Sequence, residues 1–298
     1  ALGEGRLVPL EAPLRTFGIG LSYAAHIEET AASFDPAAIP PVFAKDTAAS
    51  RDGAVTAFPS PEVLIAEAEA FEPGLGAQLE ALGGELDPLL DYEVELGIVL
   101  LEDVDPADLE RPAYAPPLGF FVANDLSARA LAILGEGRPD RIAYWGVSKS
   151  LAGLLPVGDR AFVPDEAHPA GVPCVTLETR VNGELRQRQS TRDLVYTPKD
   201  MLRFVHARFP DVPLARGTVV LTGTPGGVAI ATPRWKARLA QLLGMDRFAK
   251  LGIKLRDRER FLAPGDLVGV RAEGLGAVSV TITDAPRRSA RNERPADG

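Results

Sequence analysis

The clearest alternation of apolar and polar positions runs from Asp91 to Leu101 and predicts a strand. Successive side chains of an extended chain point to opposite sides. Val94, Leu96, Ile98 and Leu100 therefore share one wholly apolar face, which must be buried, while Glu93, Glu95, Gly97 and Val99 share the other. A second apolar run, Pro117 to Asn124, predicts another buried strand, and shorter ones are expected at Thr16–Ser22, Val42–Lys45 and Thr218–Leu221. Val172–Val181 and Glu184–Gln187 flank Asn182-Gly183, whose residues supply the positive φ angles of a type I′ hairpin turn. Leu267–Ala272 and Ala277–Thr283 flank Glu273-Gly274-Leu275-Gly276 as a second hairpin.

Helical spacing is sparser. Pro198 opens a helix to about Arg208, with Met201, Leu202, Val205 and Phe209 along one face. Arg234–Leu251 reads as a basic helix with a solvated face, Gly74–Gly84 as loop and short helix, and Tyr23–Ser33 as either a short helix or a loop. Asp125 and Ser127 are good helix-entry residues after the Pro117–Asn124 strand. Many short strands with few long helices predict an α+β, β-rich fold built on a rolled or sandwiched mixed sheet. Residues 1–60 form a small N-terminal section, 61–285 the main domain, and 286–298, nearly devoid of apolar residues, a disordered tail.

Composition narrows the function. The chain has 298 residues, 46% of them hydrophobic and 24% charged, with a net charge of −9 spread along its length. An acidic balance excludes nucleic acid as the main partner, since phosphate binding needs a basic surface. No apolar run reaches the roughly 18 residues of a membrane span, and residues 1–11 lack the pattern of a signal peptide, so a cytoplasmic location is expected. The single Cys174 rules out an intrachain disulfide, fits a reducing compartment, and reads as a small buried hydrophobe.

The chemistry sits on Glu93 and Glu95. On spacing alone, a Glu-x-Glu pair more often marks a solvated strand face than a site. Partly buried, two parallel carboxylates repel and resist ionisation without a counter-charge. Asp125, placed where the next strand turns, supplies a third oxygen ligand. Such a set suits Mg²⁺, Mn²⁺ or Ca²⁺, and the sequence offers no Cys or His cluster that would favour zinc.

Five separated motifs then carry a resemblance: Asp91-Tyr92-Glu93-Val94-Glu95-Leu96-Gly97, Asn124-Asp125-Leu126-Ser127-Ala128-Arg129, Lys149-Ser150, Val181-Asn182-Gly183-Glu184 and Thr222-Gly223-Thr224-Pro225-Gly226-Gly227-Val228. In order and spacing, over about residues 15–284, they resemble the fumarylacetoacetate hydrolase family, and Pro264-Gly265-Asp266 fits its last hairpin. The resemblance implies that family's mixed β-sandwich roll, a homodimer, and Mg²⁺ (or Mn²⁺) held by Glu93, Glu95 and Asp125. Ser22-Tyr23-Ala24-Ala25-His26 with Glu29 resembles the lid of its acylpyruvate hydrolase and oxaloacetate decarboxylase branch, where such a His and Glu pair to activate water. Lys149 matches the lysine beside the metal, and Thr224 with Gly223 matches a substrate-binding turn. Lys45 and Arg129 are expected as anion-binding or structural charges. The sequence departs from the family's usual polar residues at Ala130, Ala132, Ala152 and Gly153.

The resemblance implies a metal-dependent hydrolase cleaving a C–C bond in a β-diketo or acylpyruvate-type oxo-acid. One alternative is an oxo-acid decarboxylase, isomerase or tautomerase using the same metal–enolate site. Another, supported by the four small residues, is a ligand-binding pseudoenzyme.

Overall fold

A computed structural model describes residues 2–23, 39–81, 86–166, 171–231 and 242–284. Seven strands make the larger sheet. They are β1 (Gly5–Pro9), β2 (Arg15–Ile19), β3 (Val42–Ala44), β6 (Val94–Leu100), β7 (Leu118–Asn124), β9 (Arg160–Pro164) and β12 (Thr218–Leu221), in the order β1-β9-β7-β6-β12-β2-β3. A second sheet of five runs β11-β10-β13-β14-β4, from β4 (Ala54–Ala57), β10 (Thr176–Val181), β11 (Glu184–Ser190), β13 (Leu267–Ala272) and β14 (Gly276–Thr283). β5 (Leu90–Asp91) and β8 (Ser127–Ala128) pair separately. Among the described residues the α-helices are α1 (Pro61–Phe71), α2 (Leu75–Glu80), α3 (Arg129–Leu134), α4 (Arg141–Lys149), α5 (Pro198–Arg208) and α6 (Arg247–Arg256). The architecture is the expected strand-rich mixture of sheets with few helices. No described helix is long and apolar enough to cross a membrane.

The alternation read from the sequence organises the core. Val94, Leu96, Ile98 and Leu100 join the largest apolar cluster with residues of the second sheet such as Leu177, Val270 and Val278. Val99, on the other face, packs in a smaller cluster with Phe121, Val219 and Leu221. Gly97 has a packing reason: a Cβ there would lie 2.3 Å from the Phe121 ring. Every residue of β6 and β7 is buried, because β6 lies between β7 and β12 and is no edge strand.

Several boundaries differ from expectation. The Asp91–Leu101 strand is broken: Leu90–Asp91 pairs with β8, and the ladder of β6 starts only at Val94. The break arises because the Glu93 N–H donates to the Asn124 side-chain carbonyl at 3.0 Å, outside the backbone ladder. Asp125 and Ser127 do not open a helix directly; Ser127–Ala128 is a strand and α3 begins at Arg129. The Thr16–Ser22 strand ends at Ile19, where the chain turns toward Leu21 at φ 57°. The first hairpin begins at Thr176, four residues later than expected at Val172, and extends to Ser190. Within the basic segment, α6 starts at Arg247, capped by the Asp246 side chain on the Ala249 N–H. Residues 234–241 and 286–298 lie outside the described residues. Cys174 is half-exposed, its Sγ 3.9 Å from Ser190 Oγ, and does not behave as the buried hydrophobe expected. β2 and β3, from the first 60 residues, are integral strands of the larger sheet.

Ala130 has a packing role as well: it is fully buried in the cluster formed by α1, α3 and α4 with Leu64, Leu131 and Tyr144.

Candidate metal centre

Glu93, Glu95 and Asp125 converge at the start of β6 and the end of β7. One carboxylate oxygen from each lies within 4.8 Å of the others, and all three residues are buried. Antiparallel pairing of β6 with β7 sets Val94 opposite Asn124, so the residues flanking this pair meet at one end of the two strands. The Asp125 N–H donates to the Glu93 carbonyl at 2.9 Å, closing that end. Burial of all three is what tertiary structure adds to the Glu-x-Glu spacing. The ordinary solvated face would have left Glu93 and Glu95 in water.

Cations meet two of the acids. Lys149 Nζ, from the last turn of α4, lies 2.5 Å from Glu93 Oε2 and 2.5 Å from Asp125 Oδ2. Lys45 Nζ lies 2.7 Å from Asp125 Oδ1 and also donates to the Leu126 carbonyl at 3.3 Å. The Arg129 guanidinium bonds Glu93 through Nη2 and Asp91 through Nε, the latter at 2.9 Å. Burial opposes ionisation of Glu93, but Arg129 and Lys149 outweigh it and hold its carboxyl below the usual range. Burial likewise opposes ionisation of Asp125, and Lys149 and Lys45 overcome it. Glu95 differs. Burial, then the charges of Asp125 and Glu93, push it well above the usual range. Its Oε2 accepts the Gly223 N–H at 2.7 Å.

These residues fit a divalent ion. Three buried carboxylates present hard oxygen donors, and among the described residues no side-chain cation makes an ion pair with Glu95, which is the electrostatic situation a dication resolves. Burial lowers the Lys45 ammonium, in spite of Asp125; it also works against the Lys149 ammonium, but Asp125 and Glu93 raise it.

The Thr222–Gly227 turn approaches from β12. Gly223 adopts φ 89°, and a Cβ there would lie 2.7 Å from the Ile19 carbonyl oxygen, so only glycine brings this amide onto Glu95. The Thr224 hydroxyl donates to the Val94 carbonyl at 3.2 Å and accepts from Gln187 Nε2 at 2.9 Å. Thus Lys45, Arg129, Gly223, Thr224 and Lys149 are gathered around the three carboxylates. His26 and Glu29 lie outside the described residues.

Two buried side chains that support the site are absent from the expectations. Asp91 accepts from the Tyr92, Ala229 and Ile230 N–H groups as well as from Arg129. Gln187 accepts from the Val94 N–H and the Thr179 hydroxyl and donates to Thr224 and the Pro225 carbonyl. Their sequence signals are slight: Asp91 belongs to the same motif as the glutamates, and Gln187 is one polar residue in a polar strand.

Comparison with known proteins identifies the family and the fold. Residues 15–283 match the family model described as fumarylacetoacetate (FAA) hydrolase C-terminal. The Bacillus subtilis oxaloacetate tautomerase YisK is 31% identical over 147 residues, covering 48% of this chain and 44% of that protein. The human mitochondrial oxaloacetate tautomerase FAHD2A is 31% identical, covering 47% of this chain and 41% of that one. These matches thus span less than half of either relative. Among solved structures, the fumarylpyruvate hydrolase from Pseudomonas aeruginosa in complex with Mn²⁺ and pyruvate shares the fold with a TM-score of 0.54. It is 22% identical, over 90% of this chain and 89% of that one. The 5-carboxymethyl-2-hydroxymuconate delta-isomerase from Mycobacterium smegmatis has a TM-score of 0.53 at 24% identity, over 93% and 80% of the two chains. With the match running from residue 15 to residue 283, across the strands and turns that assemble the three carboxylates, the chain belongs to the fumarylacetoacetate hydrolase family.

Proposed function

We propose that this chain is a metal-dependent hydrolase that cleaves a C–C bond in an acylpyruvate-type oxo-acid. The observation that carries the proposal is the cluster of three buried carboxylates within 4.8 Å, with Lys149 bonded to two of them. Glu93, Glu95 and Asp125 would hold Mg²⁺ or Mn²⁺, which when bound supplies Lewis acidity toward adjacent substrate oxygens. Lys149 places an ammonium where negative charge develops on a departing enolate oxygen. Lys45 and Arg129 hold Asp125 and Glu93 ionised, and Thr224 and Gly223 form the wall against which the substrate's oxygens are oriented. His26, oriented by Glu29, is assigned the removal of a proton from water. The hydroxide adds to the acyl carbonyl, the C–C bond breaks with its electron pair passing to the pyruvyl fragment, and protonation there completes the hydrolysis. Residues 1–60 supply the lid segment as well as strands β1–β4 of the two sheets, 61–285 supply the rest of the catalytic roll, and a cytoplasmic homodimer is the working form in this reading.

A second reading has specific support, since two relatives are named oxaloacetate tautomerases. Tautomerisation, isomerisation or decarboxylation needs the metal and Lys149 but no attacking water. The test is turnover of acylpyruvates and oxaloacetate by the chelator-stripped chain, before and after Mn²⁺ is restored, with products identified by mass. Hydrolysis predicts pyruvate plus a carboxylic acid, restored by the metal and lost in His26→Ala. Full turnover after chelation overturns both readings, and metal-restored keto–enol interconversion without cleavage selects the second.

A further inference from the structure

We infer that Asp91 is a positioning residue for the metal centre, acting through Arg129 to fix Glu93 and at the same time fastening the chain that follows the Gly223–Thr224 turn. The inference rests on the proposed metal reading of the site and adds to it a residue that contacts neither metal nor substrate.

Asp91 is fully buried, yet every acceptor direction used on its carboxylate leads to a part of the site. Oδ1 accepts the Ala229 N–H at 2.8 Å and the N–H of Tyr92 at 2.9 Å. Oδ2 accepts the Ile230 N–H at 3.1 Å and Arg129 Nε at 2.9 Å. Charge-assisted bonds of this kind are stronger than neutral ones, and a planar guanidinium held at one edge has little rotational freedom left. The same guanidinium reaches Glu93 Oε1 through Nη2. Glu93 is thereby held from two sides, by Arg129 on Oε1 and by Lys149 on Oε2.

The second arm of Asp91 matters as much. Residues 229 and 230 lie a few positions beyond Gly223 and Thr224, and the Gly223 amide binds Glu95. One buried carboxylate thus ties the chain leaving that turn to Arg129, and so sets two of the three proposed ligands in register with each other. A residue serving only to satisfy a helix or loop would not need a charge here. Four donors share its two oxygens, two each, whereas a neutral side-chain amide offers one acceptor oxygen and no charge to balance the buried guanidinium. Partners of this kind behind a metal ligand typically control affinity by about 10–100-fold when changed.

The experiment measures Mn²⁺ binding to the full chain by titration calorimetry, with thermal unfolding of the metal-free protein followed in parallel. Asp91→Asn keeps an acceptor oxygen for the Ala229 and Tyr92 amides and removes both the charge and the oxygen that hold Arg129, so it is expected to weaken Mn²⁺ about tenfold. Arg129→Lys keeps the positive charge but cannot span both carboxylates, and it should weaken Mn²⁺ by a similar factor. Because one acts through the other, the double variant should lose no more than either single one. Wild-type affinity in Asp91→Asn, or losses that simply add in the double variant, overturns the inference while leaving the metal reading intact. No Mn²⁺ binding by the wild-type chain overturns both. Should Asp91→Asn not fold, Arg129→Lys decides: weakened binding supports the inference and unchanged binding overturns it.

Discussion

The backbone of Asp125 donates a hydrogen bond to the Glu93 carbonyl at 2.9 Å, so two of the three clustered carboxylates are joined through the main chain as well as through Lys149. Just beyond the β6–β7 ladder, that main-chain bond and the shared Lys149 together hold the two carboxylates near each other. A carboxylate pair fixed in this way is prepared for a cation before one arrives, which keeps the ordering cost of binding low.

Removing Asp125 should do two separable things. Asp125→Ala leaves Lys45 and Lys149 buried with less counter-charge, a change that costs about 3–5 kcal/mol in comparable buried pairs. Mn²⁺ binding should disappear in the same variant. Asp125→Asn should recover part of the stability and none of the metal affinity, as urea unfolding and titration calorimetry would show.

Glu95 predicts the opposite pattern. Burial and the charges of Asp125 and Glu93 favour its neutral form, so Glu95→Gln should change metal-free stability by less than about 1 kcal/mol, the net worth of one hydrogen bond. The wild-type chain at about 100 times its dissociation constant of Mn²⁺ should gain about 2.7 kcal/mol of stability by mass action. Glu95→Gln should gain none. A thermal shift with Mn²⁺ in that variant would contradict the ligand assignment.

A cluster away from the site predicts acid sensitivity. Hydrogen bonds from Arg247 hold the Glu72 carboxyl down at about 2 against an ordinary 4.5, with Tyr144 and Arg138 contributing. Arg247 Nη1 and Nη2 lie 2.8 and 2.9 Å from its two oxygens and join α6 to the end of α1. A lowered folded-state value means stabilisation that is complete above about pH 4.5 and is lost as pH falls toward 2. Unfolding free energy should therefore decline over that window, and the decline should be shallower in Glu72→Gln. Arg247→Ala should cost about 1.5–3 kcal/mol at neutral pH, the range for bonds to charged groups.

Gln187 offers a test of the turn. Its carboxamide links the Val94 N–H, the Thr179 hydroxyl and Thr224 across the two sheets. Gln187→Leu would leave those buried partners unsatisfied, at about 1–3 kcal/mol for such a group. If Thr224 orients substrate, KM on the preferred oxo-acid should rise more than kcat falls. A pure stability loss with unchanged KM would remove Thr224 from the substrate wall.

Much of this molecule can be read along the chain. The sequence predicts strand β12 at Thr218–Leu221 and α5 at Pro198–Arg208, each as observed, because dense local signals specify them: an apolar run ending in a Gly-rich turn, and a proline at the first helical position. The Asn182-Gly183 turn formed as expected, with both residues at positive φ. The Asp91–Leu101 strand was overextended because the competing partner of Glu93 is a side chain, Asn124, 31 residues away. The half-exposure of Cys174 likewise depends on what packs over it, which no local pattern records.

The sequence by itself determined the alternation that buries β6, the hairpins, and the ordered motifs that mark the family. Those features are local or nearly so, and each is dictated by φ preference or by which residues must leave water. Only the tertiary structure decided that Glu93 and Glu95 are not a solvated face. Placing β6 between β7 and β12 buries them, antiparallel pairing brings Asp125 beside them, and Lys149, Lys45 and Arg129 arrive from other elements to hold the charge. Burial and counter-charge are properties of the assembled sheet, and they turn a common spacing of two glutamates into a candidate metal centre.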